Sequence, residues 1–149
     1  MKNIVIVDTS IAIKWIIEET DSEKAIALLA QWVIGKTVIL APVLLAYELT
    51  NVLHQRIRRG EANQEEAEQL LIYLLLNLVK LDTSYDYAQS VRALQLAQQF
   101  LLSATYDAHY LALAEREQCE YWTADTRLLN GLRGQLPWVR NLSDYRAGS

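Results

Sequence analysis

Short apolar runs of β-branched residues recur along this chain, and they restrict the folds that it can adopt. The first run, Ile4 to Val7, is β-branched at every position and would present apolar side chains on both faces of a strand. Such strands are typical of parallel sheets, whose two faces are covered by helices. Strand-like segments at 37–40, 80–82, 120–123 and 138–140 alternate with helix-like segments. This alternation predicts an α/β layer fold with a mostly parallel sheet.

Helix start and stop signals lie between these strands. Thr20 and Glu23 have the spacing of a capping box, which predicts that Thr20 is an N-cap. Pro42 suits the first turn of a long helix that runs to about residue 59, where Gly60 ends it. Asn63 is a further candidate cap, for a helix that continues to about residue 79. The remaining predicted helices span 10–17, 84–100, 105–117 and 126–132.

Length and composition favour one domain, residues 1–149, with a single hydrophobic core. No apolar run reaches the roughly 20 residues that a membrane span needs, and the longest is Leu70 to Val79. The first residues lead directly into a strand rather than into a signal peptide. Cys119 is the only cysteine, so an internal disulfide is impossible and we expect a reducing, cytoplasmic location.

Four carboxylates lie at the boundaries of these predicted elements. Asp8 ends the first strand, and Asp125 follows the strand at 120–123. Glu48 interrupts an apolar segment at the start of one helix, and Asp107 lies in the first turns of another. In parallel sheets, sites form beyond the carboxyl ends of the strands, so all four can meet at one edge. Because buried acids are costly unless they are paired or metal-bound, we expect a shared site for a hard divalent cation.

The charge balance bears on the partners of such a site. The net charge is −4, which argues against binding nucleic acid through a general basic field but does not exclude a nuclease. Lys14 and Arg127 lie close in sequence to Asp8 and Asp125, so they are candidates for positioning a phosphate. Asn51 follows Glu48 by three residues and could also reach the site from the same helix face.

Four motifs together resemble the PIN-domain family, most closely the VapC-like toxins of bacterial and archaeal toxin–antitoxin pairs. The motifs are Val7-Asp8-Thr9-Ser10, Tyr47-Glu48-Leu49-Thr50-Asn51, Tyr106 to Ala114, and Thr123-Ala124-Asp125-Thr126-Arg127-Leu128. Their order and spacing carry the resemblance, which extends over nearly the whole chain, and every acidic position of the family is acidic here. The resemblance implies a PIN-like three-layer fold with a central sheet of four to five strands flanked by helices.

The resemblance also implies a Mg²⁺- or Mn²⁺-dependent endoribonuclease that is inhibited by a small antitoxin and forms a homodimer. Our hypothesis gives Asp8 and Asp107 the main metal contacts. Glu48 and Asp125 would bind through water or orient the attacking water. Thr9 and Thr123 would support the site with hydroxyl hydrogen bonds. Two predicted helical regions, 15–33 and 43–59, are candidate walls of the groove for the antitoxin.

Other interpretations of the same residues stay open. Asp8, Asp107 or Asp125 could each serve only as a helix cap or a dipole-favoured charge. The chain could be a non-catalytic interaction module of the same fold. It could also be an aspartyl phosphotransferase of the haloacid-dehalogenase type with Asp8 as nucleophile, although that pattern needs a second Asp where Ser10 stands.

Overall fold

A five-stranded sheet lies at the centre of the computed structural model, which describes residues 3–147. The strands are β1 (Ile4–Val7), β2 (Val38–Pro42), β3 (Val79–Asp82), β4 (Glu120–Thr123) and β5 (Val139–Asn141). Their order in the sheet is β3-β2-β1-β4-β5, and every neighbouring pair is parallel. The predicted parallel sheet of four to five strands is thereby confirmed, with β1 in the middle and β5 at an edge.

Helices cover the sheet and complete the three-layer α/β fold. Within residues 3–147 there are seven α-helices: α1 (Thr9–Ile16), α2 (Ser22–Ile34), α3 (Leu44–Arg58), α4 (Gln64–Tyr73), α5 (Tyr87–Gln99), α6 (Tyr106–Glu117) and α7 (Thr126–Leu132). Helix α6 packs against β1, β2 and β4, and α5 packs on α6. Helix α1 contacts β1 and packs against α2 and α3. This arrangement confirms the predicted fold class.

The core explains why β1 carries no polar residue before its end. Val5, Ile6 and Val7 are all buried, although their side chains alternate between the two faces of the sheet. On one side, α6 contributes an unbroken buried stretch from Tyr110 to Ala114. A strand covered on both faces must be apolar throughout, so the first polar side chain, Asp8, comes where the strand ends.

Two predicted helix starts are wrong. Thr20 is not an N-cap, because α2 begins at Ser22 after Asp21 in a left-handed conformation with φ 64°. The buried Ser22 hydroxyl instead accepts from Glu19 N–H and donates to the Ile17 carbonyl, so it fixes the connection before the helix. Pro42 is the last residue of β2 rather than part of a helix, and α3 begins two residues later.

The predicted helix that ends near residue 79 is interrupted earlier. Asn63 caps it as predicted by accepting from Glu66 N–H, but α4 ends at Tyr73. A π-helical turn, Leu74–Leu78, then leads directly into β3. Leu74 is buried, whereas Leu76 is 78% exposed, so this apolar segment has one open side. No helix within residues 3–147 has the length and apolar character that crossing a membrane requires.

Candidate active site

Asp8 is buried at the carboxyl end of β1 and is surrounded by hydrogen-bond donors. Its Oδ1 accepts from Ser10 N–H (3.0 Å) and from the Ser10 hydroxyl (2.5 Å). Its Oδ2 accepts from the Tyr121 hydroxyl (2.6 Å) and the Thr123 hydroxyl (2.5 Å). Burial raises the pKa of Asp8, while the hydroxyl donors oppose that rise. Asp8 therefore caps α1 and also lies at the centre of a polar cluster.

Glu48 faces the same cluster from the second turn of α3. Its Oε1 accepts from the Tyr110 hydroxyl at 2.7 Å and from the Thr9 hydroxyl at 3.4 Å. Burial raises the pKa of Glu48, and the charge of Asp8 raises it further. This electrostatic effect shows that the Glu48 and Asp8 carboxylates are close enough to repel each other.

Asp107 lies in the first turn of α6, and its carboxylate accepts no hydrogen bond within residues 3–147. Partial burial raises its pKa to about 6, and the charges of Asp125, Asp8 and Glu48 add to this rise. Arg127 acts in the opposite direction. Asp107 thus experiences the charges of all three other predicted site residues, and the structure brings the four carboxylates together at one sheet edge.

Asp125 follows β4 and caps α7. Its Oδ1 accepts from Arg127 N–H (3.0 Å) and Leu128 N–H (3.2 Å). Its own N–H donates to the hydroxyl of the buried Thr123 (3.1 Å), which also donates to Asp8. Thr123 therefore links the carboxyl ends of the two central strands. Asp8 and Asp125 therefore each cap a helix, as the helix-cap interpretation predicts. Each also belongs to the cluster of four carboxylates, so the two interpretations are compatible.

Two tyrosines support the carboxylates, and sequence reasoning did not single them out. Tyr110 donates to Glu48 and Tyr121 donates to Asp8, and their rings stack with centroids 5.8 Å apart and planes at 16°. The side-chain periodicity of the helix and of the strand could have identified both tyrosines. Tyr110 lies three residues after Asp107 on a helix, and Tyr121 lies two residues before Thr123 on a strand, so each shares a face with a predicted site residue.

The three remaining predicted residues differ in their surroundings. Asn51 is exposed on α3, and within residues 3–147 its side chain makes no hydrogen bond to the carboxylates. Lys14 donates to Glu19 (3.0 Å) and to the Thr20 carbonyl (2.7 Å), and its side chain is only 11% exposed. This engagement disfavours the phosphate role predicted for Lys14. Arg127 is exposed, and its charge lowers the pKa of Asp107, so it remains well placed for that role.

The donor chemistry of the cluster suits a hard divalent cation, although the side chains do not already form a closed set of ligands. All four groups offer carboxylate oxygens, which Mg²⁺ and Mn²⁺ prefer. In the part of the chain that the structure describes, no three His, Cys, Asp or Glu side chains are placed so that they could hold a metal ion. Mg²⁺ commonly binds through one or two carboxylates, with water and substrate phosphate as its other ligands. The cluster fits this open kind of site.

Comparison with known proteins agrees with this geometry. A family model described as PIN domain matches residues 5–131, which run from β1 into α7 and include all four carboxylates. The search of curated proteins found no match. PIN domains are generally metal-dependent nucleases, and this indicates a nuclease-type function for the site. The family match, the parallel sheet and the position of the acids at its carboxyl edge lead to one conclusion: this chain belongs to the PIN domain family.

Proposed function

We propose that this protein is a metal-dependent endoribonuclease that hydrolyses RNA phosphodiester bonds, and that it is the toxin of a VapBC-type toxin–antitoxin pair. The observation that carries the nuclease proposal is the raised pKa of Asp107, about 6, which results from partial burial beside three other carboxylates. An uncompensated cluster of this kind is costly unless a cation or substrate offsets its charge.

Mg²⁺ or Mn²⁺ would be held by Asp107 and Asp8, with Asp125 contributing directly or through water. When bound, such a cation supplies Lewis-acid stabilisation of the negative charge that develops on the phosphate during hydrolysis. Asp107 is the most accessible of these groups to a new ligand, because no protein donor occupies its oxygens within the described residues. The hydroxyl donors around Asp8 hold that carboxylate in one orientation.

Glu48 is suited to orient the attacking water. Its Oε1 is fixed by Tyr110 and Thr9, whereas within residues 3–147 its Oε2 accepts no hydrogen bond. The Oε2 atom can therefore accept a hydrogen bond from a water and, since burial and Asp8 raise the pKa of Glu48, take up its proton. Thr9 and Tyr110 are positioning residues in this scheme, and Arg127 is the proposed phosphate contact.

The test is cleavage of total RNA by purified protein, free of antitoxin, in Mg²⁺, Mn²⁺ or EDTA. We expect discrete, metal-dependent cuts, and a loss of at least about 100-fold in rate on Asp107→Asn. The matched control is Asp21→Asn, which makes the same chemical change at a half-buried site where Asn tolerates the left-handed backbone. Cleavage by Asp107→Asn at the rate of the control would overturn the assignment of this site.

The proposed partners, an antitoxin and a second copy of this chain, rest on exposed apolar surface and on what the family resemblance implies. Residues 1–149 would act as one domain. A small antitoxin would bind in a groove walled by α1, α2 and α3. Homodimer formation is supported by Ile72, Tyr73 and Leu76, which are 57%, 56% and 78% exposed on and after α4. Large apolar side chains grouped on one surface are typical of protein interfaces.

A non-catalytic interaction module is the second candidate function. It is favoured by one observation, the lack within residues 3–147 of three side chains already placed to hold a metal. Such a module would bind its partner equally well before and after Asp107→Asn, and it would cleave no RNA in any metal. The aspartyl phosphotransferase interpretation is not carried forward, because its pattern needs a second Asp where Ser10 stands and the chain matches the PIN domain family.

A further inference from the structure

A separate cavity lies at the carboxyl ends of β2 and β3, beside the carboxylate cluster. Its volume is about 260 Å³. The lining includes Pro42, Leu44, Tyr85, Tyr106, His109 and Leu113. Most of these side chains are apolar or aromatic, in contrast to the acidic cluster. None of them has a role in the proposed hydrolysis, so the cavity requires an explanation of its own.

Two helices connect this cavity to the cluster. On α6, Tyr106, His109 and Leu113 are spaced by three and four residues, so they share the face that lines the cavity. The adjacent face of the same helix carries Asp107. On α3, Leu44 lines the cavity and Glu48 lies one turn further along. A turn of helix advances about 5.4 Å, so the two sites are near enough for one polynucleotide strand to occupy both.

The rings that border the cavity are available for stacking. Tyr85 and Tyr106 are 63% and 59% exposed. The Tyr85 ring is held by a hydrogen bond between its hydroxyl and the Ser90 hydroxyl at 2.8 Å. Exposed tyrosine rings that lie beside an apolar cavity are suited to stack on a flat, unpaired base.

Polar groups near the cavity can recognise a base without repelling the strand that carries it. Within the described residues, the ring nitrogens of His109 make no hydrogen bond, so they can pair with the edge of a base. Asp82 also lines the cavity, but Arg116 binds both of its oxygens at 3.0 and 3.2 Å and neutralises its charge.

We propose that this cavity binds one unpaired nucleobase of the RNA substrate, next to the phosphate at the carboxylate cluster, with Tyr106 as the stacking partner and His109 as the edge contact. The inference rests on the proposed ribonuclease function and assigns this cavity to it as a base-binding site. A base in a duplex is stacked and paired, so it cannot enter the cavity. The protein should therefore select single-stranded segments or loops.

The test measures binding of a short fluorescent RNA oligonucleotide of mixed sequence in EDTA, where cleavage is blocked. We expect the single strand to bind more tightly than its duplex. Tyr106→Ala should weaken binding about 5-fold or more, whereas Tyr106→Phe keeps the ring and should stay within about twofold of wild type. Tyr87→Ala is the matched control, because Tyr87 is 81% exposed and does not line the cavity.

Oligonucleotides with one abasic position then locate the base. In wild type, removal of the bound base should weaken RNA binding as much as the Tyr106→Ala substitution does. In the Tyr106→Ala protein, the same removal should weaken binding little further. Equal binding by Tyr106→Ala and Tyr87→Ala, in a protein that still cleaves RNA, would overturn this inference and leave the ribonuclease proposal intact. If wild type neither binds nor cleaves RNA, both proposals fail.

Discussion

Asp8 and Asp107 are both withdrawn from solvent, but only Asp8 has hydrogen-bond donors around it. Three hydroxyl groups and one backbone N–H stabilise the Asp8 carboxylate. Asp107 has no such donor within residues 3–147, and burial together with neighbouring charge raises its pKa to about 6. Part of the cost of assembling the acids therefore falls on Asp107 without compensation from a hydrogen-bond donor, and a cation bound there would offset it.

Replacing Asp107 by Asn should stabilise the metal-free protein at neutral pH. The folded-state pKa, about 6, lies above the ordinary value of 3.8, so the folded protein binds this proton more tightly than the unfolded chain does. The stability that this group contributes is therefore complete below pH 3.8 and is lost as pH rises through about 6. After allowance for partial exposure, we expect a gain of about 1–2 kcal/mol for Asp107→Asn above that pH.

Urea denaturation in EDTA at a series of pH values measures this effect. Asp21→Asn provides the baseline for the same substitution outside the cluster. A difference between Asp107→Asn and wild type that does not grow between pH 4 and neutral pH would refute the assigned pKa shift.

The Tyr121 hydroxyl should contribute substantially to stability as well as to geometry. It donates a hydrogen bond to the buried Asp8 carboxylate at 2.6 Å. Tyr121→Phe removes this bond and leaves Asp8 Oδ2 with one donor fewer. We expect a loss of about 1.5–3 kcal/mol in the free energy of unfolding, as for hydrogen bonds to charged groups. Tyr73→Phe, at an exposed ring, should change it by less than about 0.5 kcal/mol. A loss equally small in both variants would contradict the argument.

The residues of the site differ in how far the sequence could have revealed them. Asp8 and Asp125 follow apolar strands, and that position alone predicts their place at the sheet edge. Tyr121 was detectable from strand alternation with Thr123 but has the composition of an ordinary core residue. The engagement of Lys14 could not be predicted, because the carboxylate of Glu19 reaches it only through the shape of the connection after α1.

Among the elements, α1 and α3 are joined by a charged network at the connection after α1. Glu19 in that connection accepts from Lys14 of α1 at 3.0 Å and pairs with Arg56 of α3. Arg56 also contacts Glu61 at 3.3 Å. Arg56 therefore has a structural role, and the network holds together the two helices that carry Thr9 and Glu48.

Loss of this network should lower the stability of the protein more at neutral pH than in acid. Burial alone would raise the pKa of Glu19, but the hydrogen bonds and charges of Lys14 and Arg56 outweigh it and lower the pKa below the ordinary value of 4.5. The resulting stabilisation is complete above pH 4.5 and is lost as pH falls through the lowered value. Glu19→Gln should cost about 1–2 kcal/mol at neutral pH and less in acid.

Thermal or urea unfolding of Glu19→Gln at neutral and acid pH measures this contribution. Glu18→Gln is the matched control, since Glu18 is the exposed neighbour of Glu19. An equal effect of the two variants at neutral pH would show that the network does not stabilise the fold.

Element boundaries were predictable where the signal is local. Asn63 caps α4, and Gly60 follows α3 with φ 74°, a conformation that glycine adopts without strain. The errors at Thr20 and Pro42 have different causes. The buried Ser22 side chain bonds Glu19 and Ile17 and so determines where α2 begins. Pro42 is drawn into β2 by its pairing with Asp82 of β3, which no sequence window around Pro42 contains.

At the scale of the whole molecule, the four carboxylates come from four separate parts of the fold: the end of β1, α3, α6 and the start of α7. A ligand that bridges them binds only the folded state, so it should stabilise the entire domain. We expect Mg²⁺ or Mn²⁺ to raise the melting temperature of wild type. The shift should be much smaller in Asp107→Asn and unchanged in Asp21→Asn. Equal melting temperatures of wild type with and without these metals would count against a metal site.

The order of strands in the sheet also determines when the site can exist during synthesis. Strand β1 is made before the other described strands, but the bonds from Tyr121 and Thr123 to Asp8 span 113 and 115 residues. A nascent chain therefore displays Asp8 long before β4 has left the ribosome. For a ribonuclease of the proposed kind, this delay keeps the growing chain inactive toward its own message and the ribosome that reads it. Such a ribonuclease would acquire its complete site only after β4 has been synthesised.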